Sequence, residues 1–356
     1  VSESVATVSA SQARDLLVSL VETPSPTGEE RACAERLVDF FEAHGREATI
    51  DAVGNVRAPA DDAVLLTSHI DTVPGEIPVR VEEKEEGGEE VLWGRGSVDA
   101  TGPLVAMAVA AVCTGVSFAG VVGEETDSEG ARHLVSTREP PEAVVNGEPS
   151  GWNGVTFGYR GLLAGTYVAT SESGHTSRPE NNAIEDAMEW WARVKAAVTD
   201  DGEEWTPVFE RVTPKINAIA GGVSDDGLSV EATMDVQLRV PPNLTVDEVC
   251  EMADGELDTG TVRWHDSVDP VMTTPRSGLA SGFRAAIREA DGEPRSLRKT
   301  GTSDMNIYRA WDCPMVTYGP GDSDFDHAPD ERLPLAEFDR SIEVLCTVAN
   351  RITEDA

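Results

Sequence analysis

The chain has 356 residues, 40% of them apolar, which is enough for about two domains with buried cores. Its 65 Asp and Glu stand against 28 Lys and Arg, a formal net charge of −37, and only four of the cations are Lys. That balance argues against a nucleic-acid footprint or an anionic membrane surface.

Charged residues make up 26% of the chain, close to the ~25% of ordinary soluble proteins, and regular apolar segments argue against disorder. The acidity reads as the solvated surface of a salt-adapted, cytoplasmic protein. Molar salt shortens the Debye length from ~10 Å at 0.1 M to ~3 Å at 1 M and so screens the self-repulsion. Five widely spaced cysteines (Cys33, Cys113, Cys250, Cys313, Cys346) form no CxxC pair, which suits a reducing compartment and gives no thiolate zinc site. Residues 1–11 have neither a basic n-region nor a long apolar h-region, so no export signal is expected.

Ser9 or Ser11 is placed to cap a first helix ending near Val21, and the run Thr23 to Gly28 breaks it. Glu29 to His44 reads as an amphipathic helix with Cys33, Leu37, Phe40 and Phe41 on one face. Short apolar runs at Val64 to Thr67, Val116 to Val122 and Ala143 to Val145 have the length of buried strands. Helices at Pro103 to Cys113 and Ser128 to Thr137 separate them, an alternation that predicts an α/β sheet between helices. Lys84 to Glu90 reads as an exposed hairpin tip.

From Tyr159 the pattern changes. Leu162 to Thr170, Asn182 to Val198, Val212 to Ala220, Leu228 to Val240, Val246 to Leu257 and Thr261 to His265 follow the order βαββαβ of a ferredoxin-like sandwich. A helix at Gly278 to Ala290, a strand near Met315 and a last helix at Leu335 to Ile352 return to the first pattern. The expected organisation is an α/β domain of residues 1–158 and 270–356 carrying an inserted α+β domain of residues 159–269.

Five motifs at strand ends or in adjacent loops carry chemistry. In Ser68-His69-Ile70-Asp71 the two side chains two apart on a strand end point the same way. His69 could then bind a metal while Asp71 holds its other nitrogen; the plain alternative is a chance pair in a loop. Asp99, in Gly94-Arg95-Gly96-Ser97-Val98-Asp99, precedes an apolar helix as either a cap or a bridging carboxylate. The adjacent pair Glu124 and Glu125 is costly to desolvate unless a cation is near; the alternative is a solvated turn. Glu148 follows a further apolar strand, and His327 lies in the acidic loop Asp322 to Glu331.

In this order, and with the segments Gly301-Thr302-Ser303-Asp304-Met305-Asn306, Gly227 to Glu231 and Leu238-Arg239-Val240-Pro241-Pro242, the motifs resemble the M20 family of metallo-aminoacyl hydrolases over nearly the whole chain. Within it the chain is most similar to the branch releasing lysine or ornithine from an amino-group carrier protein, related to acetylornithine deacetylase and succinyl-diaminopimelate desuccinylase. The resemblance implies a zinc-peptidase-like α/β catalytic domain, with the insert as lid and homodimer contact. It implies two Zn²⁺, with Co²⁺ or Mn²⁺ able to substitute: Asp99 bridging, His69 and Glu148 on one ion, Glu125 and His327 on the other. Glu124 would be the general base and Asp71 would orient His69. His175, in Ser173 to Pro179, would donate to the oxyanion. Arg239, Gly301 and Thr302 would contact substrate, while Trp190 and Trp191 are expected in packing.

Overall fold

The computed structural model describes residues 6–83, 88–175, 177, 179–199 and 206–355, and divides the chain into two compact units. The first comprises Val1–Phe157, Thr273–Leu297 and Ser303–Ala356. It opens with α1 (Ala10–Val21), α2 (Arg31–Ala43), β1 (Thr49–Ile50), β2 (Val56–Ala58), β3 (Asp61–His69), β4 (Arg80–Glu83), β5 (Glu90–Trp93), α3 (Thr101–Thr114), β6 (Val116–Val121), α4 (Glu129–Thr137), β7 (Val144–Gly147) and β8 (Gly154–Tyr159). The second unit, Gly158–Met272 with Arg298–Thr302, holds β9 (Gly161–Glu172), α5 (Ala183–Val198), β10 (Thr213–Val223), β11 (Ser229–Val240), α6 (Val246–Asp254), β12 (Thr261–Val268) and β13 (Val271–Met272). The chain then supplies α7 (Gly278–Glu289), β14 (Arg295–Lys299), α8 (Met305–Tyr308), β15 (Met315–Thr317), β16 (Arg332–Pro334) and α9 (Leu335–Asp355).

In the first unit the main sheet runs β1-β2-β6-β3-β7-β15-β8. The strands β6, β3, β7 and β15 are mutually parallel, and antiparallel strands flank them. Parallel strands buried on both faces carry near-continuous apolar runs, and Ala63 to Leu66 and Val116 to Val121 are buried throughout. The helix α3 is apolar all round, as a helix buried on every side must be, and residues 101–112 are all buried. No described helix is long and apolar enough to cross a membrane. Ser9 caps α1 through a reciprocal bond with Gln12.

The second unit is a four-stranded antiparallel sheet in the order β10-β11-β9-β12, covered by α5 and α6. With the sequence order βαββαβ this is the ferredoxin-like arrangement. Trp190 is fully buried in its core and stacks on Tyr167 at 4.8 Å, with Trp191 beside it. Both tryptophans are thus core residues.

Three segments fall in the other unit from the sequence expectation. Residues Gly158, 270–272 and 298–302 belong to the second unit. The buried Arg160 explains the last of these, because its Nε donates to the Thr300 carbonyl at 2.8 Å and its Nη1 to Thr213 Oγ1 at 2.7 Å. The strands β4 and β5 pair antiparallel, with Glu83 opposite Glu90; of the expected hairpin tip, residues 84–87 lie outside the described residues.

Candidate metal centre

The parallel strands deliver the acidic and histidine motifs to one edge. His69 is the last residue of β3, Glu124 and Glu125 follow β6 by three and four residues, and Glu148 immediately follows β7. In open α/β sheets, sites form at the carboxyl ends of the strands.

The His69 ring is buried, with Nε2 3.2 Å from Asp99 Oδ1 and 3.9 Å from Glu148 Oε1. Its Nδ1 lies 2.9 Å from the Asp71 carbonyl and 3.5 Å from Asp71 Oδ1. The other oxygen of Asp99, Oδ2, lies 3.2 Å from His327 Nε2, which stands 3.0 Å from Glu125 Oε2. Asp99 therefore sits between the two histidines. It does not cap α3: Ala100 holds that position and no side chain caps the helix. The ligand atoms of His69, Asp99 and Glu125 lie within 4.8 Å of one another, and so do those of His69, Glu124 and Glu148. Carboxylate oxygens mixed with imidazole nitrogens form a donor set that zinc accepts, and cobalt or manganese can substitute.

Asp71 is fully buried and accepts three hydrogen bonds: from Thr27 Oγ1 at 2.8 Å, from Glu124 N–H at 3.1 Å and from Glu125 N–H at 3.1 Å. Asp71 thus meets the His69 ring chiefly through its carbonyl, while its carboxylate ties down the turn that presents both glutamates. Gly96 has φ +81°, and a Cβ there would come within 2.7 Å of Thr72 Cγ2; the loop before Asp99 therefore requires glycine. His327 also lies in the left-handed region, at φ 59°, a conformation in which His is enriched.

The electrostatics follow from the crowding. Burial pulls the His69 imidazolium down, but Asp71 and Asp99, with Glu124 and Glu148 near, outweigh it and hold its pKa well above the usual value. Hydrogen bonds to Asp99 and Glu125 raise His327 to about 10. Burial opposes the charge of Asp71, yet His69, Thr27 and the Glu125 N–H outweigh it and keep its pKa low. Glu124 keeps part of its surface open, but its carboxyl stands among protein atoms and beside Glu148. Burial first, and that neighbour second, push it well above the carboxylate range.

Without metal, His69, Glu124 and His327 hold protons more tightly in the folded chain than in the unfolded one. Such groups stabilise fully below their unfolded pKa and lose that contribution as pH rises through the folded value. The metal-free protein is therefore expected to lose Tm from the carboxylate range up towards the value of about 10 reached by His327. Asp71, with its lowered pKa, contributes in the opposite sense, at acid pH. A divalent cation replaces the retained protons, so the Tm gained on adding Zn²⁺ should be larger at about pH 8 than at about pH 6. A gain independent of pH would contradict this.

In the second unit Arg239 lies on β11, an interior strand rather than a sheet edge. Its Nη1 donates to Thr302 Oγ1 at 3.3 Å, and Gly301 is the residue before. Burial lowers the guanidinium of Arg239 below its ordinary value. It also lowers that of Arg160, to about 10, with Arg239 and Arg211 adding to the effect. His175 follows β9, exposed, with Nδ1 2.9 Å from Ser177 Oγ; its neighbours Thr176 and Arg178 lie outside the described residues. The first unit holds His69, Asp71, Asp99, Glu124, Glu125, Glu148 and His327, and the second holds His175, Arg239, Gly301 and Thr302.

Thr27, Glu331 and Asp304 were given no role from sequence. Thr27 and Glu331 touch Asp71 and the Asp99 loop. Asp304 is a buried carboxyl behind the site, raised to about 7 chiefly by burial.

A parallel-centred α/β sheet whose strand ends and adjoining loops bring together two histidines and four carboxylates is the build of a metal-dependent hydrolase. The chain belongs to peptidase family M20/M25/M40, which it matches over residues 65–351, and is a metallohydrolase of amide bonds. It is 38% identical to a LysW-lysine hydrolase of Deinococcus radiodurans, over 97% of this chain and 98% of the relative. It is 36% identical to a putative LysW-lysine/LysW-ornithine hydrolase of Thermococcus kodakarensis, over 97% and 93%. Its fold is similar to that of a Staphylococcus aureus tripeptidase, with TM-score 0.79 and 19% identity over 98% of this chain and 100% of the other. A dinuclear metal binding M20 peptidase of Bacillus subtilis matches with TM-score 0.70 and 13% identity, over 98% and 99%.

Proposed function

We propose that the chain is a two-metal amide hydrolase that releases lysine or ornithine from a carrier-protein-linked precursor, in cytoplasmic lysine or arginine biosynthesis. The observation that carries the reading is the Asp99 carboxylate, 3.2 Å from His69 on one side and 3.2 Å from His327 on the other. Two relatives similar along nearly their whole length, whose names give LysW-linked lysine or ornithine as substrate, support the carrier-linked part.

His69, Asp99 and Glu148 would hold one cation, and Asp99, Glu125 and His327 the other, with zinc as the expected ion. When bound, such ions polarise the amide carbonyl and make water acidic enough to act as nucleophile at neutral pH. Glu124, left out of both ligand sets, takes a proton from the attacking water and returns it to the leaving amine. Asp71 holds His69 in one tautomer through its Nδ1 side. Arg239, partly desolvated and next to Thr302, suits a substrate carboxylate, and Gly301 gives that loop an open backbone. His175 donates to the oxyanion, and the second unit serves as lid and homodimer contact.

The test is a substrate panel in high KCl with Zn²⁺ or Co²⁺: carrier-linked lysine and ornithine, N-acetyl-ornithine, N-acetyl-lysine, succinyl-diaminopimelate and simple dipeptides. Carrier-linked substrates should be turned over with the highest kcat/KM. Preference for a free acyl-amino acid or a dipeptide would replace the carrier-linked assignment with a deacetylase, desuccinylase or dipeptidase.

A further inference from the structure

We propose that Glu331 is a positioning residue that fixes the Asp99 carboxylate between His69 and His327. This rests on the reading of Asp99 as a shared ligand. Glu331 is fully buried and spends both oxygens on one loop. Its Oε1 accepts from Val98 N–H at 2.8 Å and Asp99 N–H at 3.0 Å. Its Oε2 accepts from Gly96 N–H at 3.1 Å and Arg95 Nη1 at 2.8 Å. Three backbone donors of a four-residue stretch thus converge on a single side chain, and one of them is the amide of Asp99 itself.

The local fold makes this convergence. The strand β16 begins at the next residue and pairs antiparallel with β5, Arg332 opposite Trp93, which lays Glu331 beside the loop that leaves β5 at Gly94. The same Arg95 Nη1 also donates to the Ala328 carbonyl at 3.2 Å, one residue past His327. The pair of Arg95 and Glu331 therefore ties the loop carrying Asp99 to the loop carrying His327. The network acts through the backbone, at the Asp99 amide and at the carbonyl of Ala328 next to His327.

A glutamine has nearly the same shape but replaces one acceptor oxygen by an NH₂ donor. Whichever way it turns, it sets that donor against N–H groups that need an acceptor. Glu331→Gln should therefore let the Asp99 loop shift while changing none of the proposed ligand side chains. Outer-shell changes of this kind cost about 10–100-fold in metal affinity.

The experiment titrates metal-free wild type and Glu331→Gln with Co²⁺, following the visible absorption and the heat, with circular dichroism as the fold control. Expected is two ions per wild-type chain, and in the folded variant a weakening of about 10–100-fold with an altered cobalt spectrum. A folded variant that binds both ions as tightly, with the same spectrum, overturns the role of Glu331 alone. Wild type that binds fewer than two ions overturns the shared-ligand reading beneath it. Amide hydrogen exchange on the metal-free wild type serves as a second test, independent of how the variant folds. Slow exchange at Gly96, Val98 and Asp99 is expected, and exchange at unprotected rates overturns the proposal.

Discussion

Glu124→Gln is expected to lower kcat by about 10²–10⁴-fold, the usual worth of a positioned general base, with metal content unchanged. The proposed division between the adjacent glutamates starts from Asp71, which accepts from both of their amides at 3.1 Å each. Glu125 reaches His327, at 3.0 Å. Glu124 instead stands within 4.8 Å of the ligand atoms of His69 and Glu148, near the centre without being needed by either proposed ligand set. Its raised pKa, from burial and the charge of Glu148, matches a group that must carry a proton for part of the cycle. Glutamine keeps the shape and removes the basicity. Loss of bound metal in this variant, measured by atomic emission on the dialysed protein, would make Glu124 a ligand and remove it as base.

Asp99→Ala should be the most damaging single ligand change, because one carboxylate serves both histidines. Polarisation by bound metal contributes several kcal/mol, so the rate should fall on the order of 10³-fold or more, with metal content reduced at both positions. Glu148→Ala and His327→Ala should each weaken one ion and spare the other. The two positions also differ in access: the His327 side chain is 52% exposed and that of His69 only 1%. A chelator should therefore remove the ion at His327 first, and His327→Ala should abolish the fast phase of metal loss. Two equal phases in wild type, or loss of both ions in His327→Ala, would contradict this assignment.

The strand-end chemistry was legible in the sequence because its signals are local. A buried strand that ends at His69, or is followed within four residues by Glu125 or Glu148, needs only the strand pattern and the residue type. The same locality let the capping and bridging readings of Asp99 coexist until the structure gave the N-cap to Ala100. The supporting residues were not legible, since their partners are distant in sequence. Thr27 meets Asp71 across 44 positions, and Glu331 meets Gly96 across 235. Nothing in their flanking sequence encodes those meetings. The four-residue α8 and the three-residue β16, which pairs with β5, were missed because short elements carry too few residues for a periodic signal. The segment Arg298–Thr302 was placed in the wrong unit because the carbonyl that Arg160 seeks, on Thr300, leaves no mark in local composition.

The most direct test of the account is an anomalous difference map from crystals of the zinc-loaded protein, recorded at the zinc edge. Two peaks are predicted, on opposite sides of the Asp99 carboxylate, one against His69 and Glu148 and the other against Glu125 and His327, with no peak coordinated by Glu124. A single peak, or one ligated by Glu124 together with His69 and Glu148, would contradict it.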